Sequence, residues 1–292
     1  MFGFIGLGNM GAPIARRIAP RHDLIVFDVR AGSSDECVRF GAVEAPTLDV
    51  LAARADEGYF LCVSDDEQVL DIVDDLLAQP IDQTGRKIIV LSTVAPTTIQ
   101  GVALSAARRG VGVLEAPVSG NTEARESGRL TVFAGGTVEH LDELRPLLEL
   151  FSCNIFHAGP VGAGAALKLA NNVLAFLGVL GTAEAWELAR AYGIPLEVLR
   201  TAVGVSTGDH YAMRNLEFIQ KLYYEHPQGR GPDFYEFMRK DLYTALKAGD
   251  AVDINLYLTR EAARVAPDVY LKFWTPENYR TVFGAGVPNV SG

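Results

Sequence analysis

The sequence predicts an α/β protein in which a doubly wound sheet is followed by an all-α domain, the two being joined by a long helix. In the first part of the chain, short continuous apolar runs alternate with stretches of helical period. That alternation is typical of a parallel sheet covered by helices on both faces. After residue 164 the strand pattern ends and apolar residues recur at helical spacing. We therefore expect domains at residues 1–162 and 163–292.

Seven apolar runs are the predicted strands of the first domain. They are residues 2–5, 24–27, 59–63, 88–91, 111–114, 131–134 and 154–157, the last two as further candidates. Helical spacing between them covers residues 10–18, 67–77 and 98–109. In the second domain it covers residues 165–192, 196–203, 211–224, 234–248 and 252–265, with a loop at 226–232 and a loose tail at 284–292.

Composition limits the class of protein. Apolar residues make up 49% of the 292 residues and charged residues 21%, as in folded globular proteins. The formal net charge of -10 matches a nucleic-acid binder poorly, because such proteins need a basic surface. Three widely spaced cysteines, Cys37, Cys62 and Cys153, form no metal-binding pattern and are interpreted as reduced thiols of a cytoplasmic protein. The N-terminus lacks the basic and apolar regions of a signal peptide.

Residues 163–181 are mostly apolar and nearly long enough to span a membrane. Lys168, Asn171 and Asn172 interrupt the run, and a charge near the centre of a lipid-facing helix is costly. We therefore predict a helix of a globular protein, with no membrane partner. Because this run is apolar on nearly all sides, its first half is expected to be buried all round.

A glycine-rich turn follows the first apolar run and precedes a helix. It consists of Gly6, Leu7, Gly8, Asn9, Met10 and Gly11 and fits G-x-G-x-x-G, a pattern that is weak alone but specific in this context. The first glycine permits the tight turn, the second lets a pyrophosphate approach, and the third lets the helix pack closely. Amides at the helix start then face the phosphate charge. The turn predicts a dinucleotide-binding Rossmann domain.

Asp28 ends the second apolar run, 22 positions after Gly6. A carboxylate there can accept hydrogen bonds from the ribose hydroxyls of NAD and would repel the 2′-phosphate of NADP. Arg30 could instead receive that phosphate, so NADP stays open while NAD is favoured. The alternative is a glycine turn without a ligand beside an ordinary strand-end aspartate.

Five segments occur in a specific order along the chain. They are GFIGLGNMG at 3–11, LST at 91–93 with Pro96, EAPVSG at 115–120, GAG at 162–164 with Lys168 and Asn171-Asn172, and KDL at 240–242. Together they resemble the motifs of the 3-hydroxyisobutyrate dehydrogenase family, also called β-hydroxyacid dehydrogenases. The resemblance extends to about residue 265, and the segment after Pro267 has no match.

The resemblance implies a Rossmann domain, an all-α domain and an active site in the cleft between them. It further implies an NAD(P)-dependent enzyme that oxidises a small 3-hydroxy acid or reduces its semialdehyde, generally as a homodimer or homotetramer. Thr93 is expected beside the nicotinamide ribose, and Lys240 is expected to reach the cofactor site. We also assign Val63 and Ser64, at the end of the third run, to cofactor binding.

Two residues depart from the family pattern. Glu115 stands where the family usually has aspartate, which we interpret as a tolerated replacement at a strand end. Asn121 stands where it usually has glycine near the substrate carboxylate. Its side chain could narrow the pocket or add an amide donor, so the substrate remains open.

Lys168 is the predicted proton-transfer residue. Burial makes a lysine harder to charge and brings its pKa toward neutrality. It could then take a hydroxyl proton in oxidation and return one in reduction. Asn172, four residues on, shares its helix face and could hold the lysine or the substrate hydroxyl. The alternative is a surface lysine, which the apolar neighbours of Lys168 disfavour.

A small carboxylate substrate is predicted to be held by Ser119, Gly120 and Asn121, the alternative being a polar turn. Lys240 could pair with that carboxylate or with the cofactor, or be an exposed helix lysine. No metal site is predicted.

Two other functions remain: an imine reductase of the same fold, and a non-catalytic binding module. Relatives of both kinds generally lack the catalytic lysine. Candidate substrates are 3-hydroxyisobutyrate, glycerate with tartronate semialdehyde, and 4-hydroxybutyrate.

Overall fold

The computed structural model describes residues 1–216 and 232–273 of the chain. Contacts between Cα atoms divide the chain into two units, Met1–Lys168 and Leu169–Gly292. The division falls inside a long helix at residue 168, whereas the sequence pattern placed the domain boundary at residue 162. The predicted 226–232 loop, apart from Pro232, and the 284–292 tail lie outside the described residues.

The N-terminal unit is built on one nine-stranded sheet. Its strands are β1 (Phe2–Ile5), β2 (Leu24–Phe27), β3 (Val43–Glu44), β4 (Gly58–Leu61), β5 (Lys87–Val90), β6 (Gly112–Glu115), β7 (Val118–Ser119), β8 (Leu130–Gly135) and β9 (Ser152–Gly159). Their order is β3-β2-β1-β4-β5-β6-β8-β7, with β9 also paired to β8. The predicted strands are present, and the two-residue strands β3 and β7 were missed because so short a segment carries no alternation.

Strands β1 to β6 run parallel, but β8 runs antiparallel to β6 and β7. The sheet is therefore mixed, and the expectation of parallel strands throughout was wrong at β8 and at β9, which runs parallel to β8. The connection from β7 to β8 holds only a short helix of six residues. A strand parallel to β7 would need a longer crossover connection, so β8 runs in the opposite direction.

Seven helices flank this sheet in the N-terminal unit. They are α1 (Gly11–Ile18), α2 (Asp35–Arg39), α3 (Leu48–Arg54), α4 (Asp66–Ala78), α5 (Pro96–Ala107), α6 (Thr122–Ser127) and α7 (Val138–Leu148). Successive strand residues face opposite sides of the sheet, so Phe4 packs in one apolar core and Ile5 in another. Two cores, one on each face, are the mark of a doubly wound sheet. Helices α2, α3, α6 and α7 were not predicted.

In the C-terminal unit the described residues, 169–216 and 232–273, form helices joined by turns, with no strand among them. Its helices are α8 (Ala163–Ala191, which begins in the N-terminal unit), α9 (Leu196–Val203), α10 (Tyr211–Arg214), α11 (Pro232–Asp250) and α12 (Tyr257–Phe273). Phe176 and Trp186 of α8 pack in one core with Met238 and Leu242 of α11. The helix predicted from residue 252 begins later, at Tyr257. The predicted 211–224 helix is described only as far as residue 216.

Helix α8 is not buried all round, contrary to the sequence expectation. Leu174 is 74% exposed and Leu188 64%, while Phe176 and Leu180 on the other side are buried. By length and composition alone the helix could cross a membrane, and 44% of its most apolar 18-residue segment is buried within the protein. The chain therefore presents an apolar helix face on its surface.

Candidate active site

The glycine-rich turn connects β1 to α1 at the carboxyl edge of the parallel strands. Gly6 adopts φ +92°, and a Cβ at Gly11 would lie 1.9 Å from the Gly6 carbonyl oxygen, so both positions require glycine. A Cβ at Gly8 would meet only the Arg30 guanidinium, at 3.7 Å. Met10, the N-cap of α1, makes no side-chain cap hydrogen bond. The turn thus leaves room at Gly8 beside a helix start without a side-chain cap, which together suit a phosphate.

Asp28 is bound to this turn at the end of β2. Its Oδ2 accepts a hydrogen bond from Leu7 N at 2.7 Å, and its Oδ1 accepts one from Arg30 N at 2.8 Å. The Arg30 Nε lies 3.2 Å from the same Oδ1. Burial raises the pKa of Asp28, but the hydrogen bonds from Arg30 and Leu7 outweigh it, and the pKa is lowered. Asp28 is therefore a carboxylate at neutral pH.

A cavity of about 560 Å³ opens beside the turn. Leu7, Gly8 and Asn9 line it on one side, and helices α1, α2 and α6 contribute charged side chains. Its arginines are Arg16, Arg30, Arg39 and Arg125, and its carboxylates are Asp35, Glu36 and Glu126. Arg16 bridges two of the acids, at 3.1 Å from Glu36 and 2.8 Å from Glu126. The size and the arginines suit an anionic ligand that extends from the turn.

Val63, Ser64 and Thr93 follow β4 and β5, which are parallel neighbours, so the three lie at the same edge of the sheet as the turn. Val63 N donates to Ser92 Oγ at 2.8 Å. The loop after β5 is also held by Asp66, whose Oδ1 accepts from Ala95 N at 2.8 Å. Ser92 and Asp66 shape this edge, and sequence reasoning missed both.

Ser119, Gly120 and Asn121 form the end of β7 and the start of α6. A Cβ at Gly120 would lie 2.6 Å from Leu130 Cδ2, so this glycine is required for space. The Asn121 Oδ1 accepts from Ala124 N at 2.8 Å and caps α6. The side-chain oxygen of Asn121 therefore caps α6, and its side-chain nitrogen is the group that can donate to a ligand.

Glu115, at the end of β6, has a bonding role that was not expected. Its Oε1 accepts from Gly162 N at 2.6 Å and Gly164 N at 2.9 Å, and its Oε2 accepts from Ala165 N at 3.0 Å. The carboxylate caps the start of α8. Glu115 is 1% exposed, and burial raises its pKa against the opposing effect of these three hydrogen bonds.

Lys168 lies in the second turn of α8 and is 5% exposed. Its neighbour Leu167 is 39% exposed. The helix thus turns its lysine inward and a leucine outward, the reverse of a surface helix. Asn172, one turn later, is also 5% exposed. The predicted proton-transfer pair therefore lies on the buried side of α8.

Asn172 belongs to a polar network within the C-terminal unit. Its Nδ2 donates to Asp241 Oδ2 at 2.6 Å, and its Oδ1 accepts from Asn171 Nδ2 at 3.0 Å. The other Asp241 oxygen, Oδ1, lies 3.0 Å from Lys240 Nζ. Asp241 therefore orients Asn172 and forms an ion pair with Lys240. The sequence signal was a carboxylate at a core-facing helix position between the buried Met238 and Leu242.

Among the residues that the structure describes, no group of His, Cys, Asp and Glu side chains could hold a metal ion. Cys37 is buried, Cys62 half-buried and Cys153 exposed, and none of these three forms a disulfide. Burial raises the pKa of the Cys37 thiol to about 11.

Comparison with known proteins places this geometry in a family. Residues 1–159 match the NAD-binding domain of 6-phosphogluconate dehydrogenase, and residues 162–269 match the NAD-binding family of NADP-dependent 3-hydroxyisobutyrate dehydrogenase. The 3-hydroxyisobutyrate dehydrogenase of Pseudomonas aeruginosa is 34% identical over 262 residues, covering 86% of each chain. The chain belongs to the 3-hydroxyisobutyrate dehydrogenase family. The family resemblance predicted from the sequence is thereby confirmed.

The chain is also similar to an L-serine dehydrogenase in sequence and to a 3-hydroxyisobutyrate dehydrogenase in structure. The NAD-dependent L-serine dehydrogenase of P. aeruginosa is 36% identical over 253 residues, covering 85% of each chain. The structure of the Mycobacterium tuberculosis 3-hydroxyisobutyrate dehydrogenase with L-serine matches with a TM-score of 0.78 at 27% identity, over 93% of this chain and 92% of that one. The predicted fold, a Rossmann sheet followed by a helical domain with a long linking helix, is confirmed.

As a member of the 3-hydroxyisobutyrate dehydrogenase family, the protein is an NAD(P)-dependent hydroxyacid dehydrogenase acting on a CH–OH group. The residues present fit a dinucleotide. Gly8 and the uncapped start of α1 can take a pyrophosphate, and the Asp28 carboxylate can accept hydrogen bonds from a ribose. Both departures from the family pattern, Glu115 and Asn121, are helix caps in this chain.

Proposed function

We propose that this protein reversibly oxidises a small 3-hydroxy acid to its semialdehyde with NAD, and that Lys168 transfers the hydroxyl proton. The burial of Lys168 carries the proposal. Lys168 is 5% exposed on a helix whose Leu174 is 74% exposed. A surface lysine would keep its ammonium in water, so this arrangement indicates a role for the amine inside the protein. The relatives named for L-serine and 3-hydroxyisobutyrate, both small 3-hydroxy acids, support the substrate class.

A bound nicotinamide would supply the hydride acceptor for the carbon that bears the hydroxyl. Lys168 in its neutral form takes the hydroxyl proton during oxidation, and its ammonium returns a proton to the carbonyl oxygen during reduction. Asn172 shares the helix face of Lys168 and holds the lysine or the substrate hydroxyl in place. Asp241 and Asn171 keep the Asn172 amide in one orientation.

The substrate carboxylate is assigned to Ser119, Gly120 and Asn121. A hydroxyl, a backbone amide and the amide nitrogen of Asn121 can all donate hydrogen bonds to a carboxylate. Lys240, whose Nζ lies 3.0 Å from Asp241 Oδ1, supplies a positive charge for the substrate or the cofactor. Val63, Ser64 and Thr93 are assigned to the cofactor, as the order of the strand ends suggests.

NAD is the preferred cofactor in this proposal. The Asp28 carboxylate is 8% exposed, and its pKa is lowered, so a charged group stands where the 2′-phosphate of NADP would be repelled. Arg30 is 64% exposed and paired with Asp28. Because its charge is already partly balanced, Arg30 receives a phosphate less readily than an unpaired arginine would.

Two alternative functions for this protein are an imine reductase and a non-catalytic binding module, because proteins of both kinds have this fold. The notable difference is the buried Lys168, since relatives of both kinds generally lack it. A turnover experiment separates the three functions directly.

The experiment is a screen of the purified protein, followed by the absorbance of reduced nicotinamide. It uses 3-hydroxyisobutyrate, L-serine, glycerate and 4-hydroxybutyrate with NAD and with NADP, together with cyclic imines and NADPH or NADH as the competing reaction. We expect turnover of at least one 3-hydroxy acid, with a higher kcat/KM for NAD. Turnover of imines alone would favour the reductase, and cofactor binding without turnover would favour the binding module.

We further propose that the protein is a homodimer or homotetramer, assembled through its helical unit. The unit exposes apolar side chains on several helices: Leu174 and Leu188 on α8, and Tyr257 and Leu258, each 74% exposed, at the start of α12. Apolar faces of this kind are usually covered by a second subunit. Leu174→Glu should lower the mass measured by analytical ultracentrifugation, whereas Leu104→Glu on α5 should not. A monomeric wild-type protein would refute this assembly.

A further inference from the structure

We propose that Glu115 is a positioning residue for the reaction: its carboxylate holds the first turn of α8 in place and thereby fixes the position of Lys168. The inference rests on the proposed function, because it concerns the reaction that Lys168 serves. Glu115 lies at the end of β6, and Lys168 lies in the second turn of α8. Hydrogen bonds join Glu115 to the first turn of α8, and Lys168 follows in the next turn of the same helix.

The start of a helix leaves several N–H groups without a partner in the helix itself. In α8 each of them is satisfied by a specific acceptor. Gly162, Gly164 and Ala165 donate to the Glu115 carboxylate, at 2.6, 2.9 and 3.0 Å. Ala163 N donates to the Pro160 carbonyl at 2.9 Å. Glu115 therefore provides most of the cap, from a strand 47 residues before Gly162.

The packing around this cap leaves no room for another arrangement. A Cβ at Gly135 of β8 would lie 1.9 Å from Glu115 Oε1 and 2.7 Å from Gly164 N. A Cβ at Gly164 would lie 2.4 Å from the Phe133 carbonyl oxygen. The two glycines are therefore needed for space: the strand β8, the carboxylate and the first turn of α8 touch directly. This close packing allows the helix only one starting position.

The charge of Glu115 is part of the cap. An ionised carboxylate only accepts hydrogen bonds, and here it faces three N–H donors and the positive end of the helix dipole. A glutamine of the same length would place an NH₂ group against at least one of those donors. An aspartate would keep the charge but be one methylene shorter. The two variants thus separate the effect of charge from that of reach.

Lys168 is three residues after Ala165, the last residue that Glu115 holds. Three residues correspond to a rise of about 4.5 Å along a helix, less than one turn. A tilt or fraying of the first turn therefore moves the Lys168 side chain, which is 5% exposed and has little freedom to compensate. A displacement of about 1 Å at a catalytic group can lower a rate about a hundredfold.

The test compares Glu115→Gln and Glu115→Asp with the wild-type protein. The control is Thr137→Ala, which removes the cap hydrogen bond from His140 N, 3.2 Å in the wild type, at the start of α7. Helix α7 carries no residue assigned to the site, so the control reports what the loss of a cap does to stability alone. The measurements are kcat and KM with NAD and either 3-hydroxyisobutyrate or L-serine, NADH binding by fluorescence, and hydrogen exchange of residues 162–170.

We expect Glu115→Gln to lower kcat by roughly tenfold to a hundredfold, with KM and the Kd for NADH nearly unchanged. Amide exchange should accelerate at residues 162–166, which a loss of overall stability would not single out. Glu115→Asp should fall between the wild type and Glu115→Gln. Thr137→Ala should lower Tm slightly and leave kcat unchanged.

A folded Glu115→Gln variant with wild-type kcat would overturn the proposal. So would a loss of kcat with unchanged exchange at residues 162–166. If Glu115→Gln does not fold, Glu115→Asp with the same two measurements decides. A wild-type protein inactive on every hydroxy acid would count against the proposed function instead, while the exchange measurement would still report whether Glu115 holds α8.

Discussion

Helices α1 and α8 both begin at a G-x-G turn in the N-terminal unit, yet their first N–H groups meet different partners. The start of α1 has no side-chain cap and no acidic residue in its first turn. The start of α8 is closed by Glu115, which accepts hydrogen bonds from Gly162, Gly164 and Ala165. One helix start is open to an anion from outside, and the other holds an anion of the protein itself.

A helix N-terminus is a general anion site, and the surrounding fold determines which anion binds there. Where no protein carboxylate reaches the amides, a cofactor phosphate can bind. Where one does, the helix becomes rigid and can position a side chain such as Lys168. A glycine motif alone does not distinguish the two cases.

The largest expected effect concerns the residue that the closed helix start positions. Lys168→Ala should lower kcat by roughly a hundredfold to ten-thousandfold, as for loss of a general acid–base group, with NADH affinity nearly unchanged. Steady-state kinetics and fluorescence titration measure the two quantities. Lys247→Ala, on the exposed side of α11, is the matched control and should keep wild-type kcat. A Lys168→Ala variant with normal kcat would remove the lysine from the mechanism.

Glycine substitutions test the open and closed helix starts directly. Gly8→Ala adds a methyl group where only Arg30 is near, at 3.7 Å, so the protein should fold but bind NADH about tenfold or more weakly. Gly164→Ala places a Cβ 2.4 Å from the Phe133 carbonyl oxygen and should destabilise the fold by about 1–3 kcal/mol. Titration of NADH and urea unfolding measure these effects. If the two variants behaved alike, the contrast between the helix starts would be lost.

Asp28 completes the open site and also holds the turn through Leu7 N, so its removal should act chiefly on cofactor binding. Asp28→Ala should weaken NAD binding about tenfold, the loss of roughly one hydrogen bond to a charged group, and reduce the preference over NADP. The ratio of kcat/KM for the two cofactors is the measurement. Asp23→Ala, before the other end of β2, should change neither. An unaltered ratio in Asp28→Ala would exclude Asp28 from the cofactor site.

The smallest effects are expected at Asn121, which extends the comparison to a third helix start. Asn121→Asp keeps the cap acceptor for Ala124 N but places a charge near the substrate carboxylate, so KM should rise by less than about tenfold with stability unchanged. Asn121→Gly removes the cap and should lower stability by a few tenths of a kcal/mol. An unchanged KM in Asn121→Asp would limit Asn121 to its capping role.

The fold was predictable to a large extent because its signals are local. Continuous apolar runs marked the long strands, and helical spacing marked α1, α4, α5 and α8. The short strands β3 and β7 were missed because two residues establish no period. The direction of β8 was missed because strand pairing depends on the path of the chain between elements. Exposure of Leu174 was missed because an apolar helix face does not reveal what covers it.

The glycine turn, the acid at the end of β2 and the lysine among apolar neighbours could be recognised without a structure. Each is specified by residue type and spacing within a few turns of backbone. The cap of α8 by Glu115 and the bond of Asp241 to Asn172 depend instead on how the chain folds, because these partners are 47 to 50 and 69 residues apart along the chain. A hydrogen bond depends on distance in space, which spacing along the chain does not set once the chain has folded back on itself.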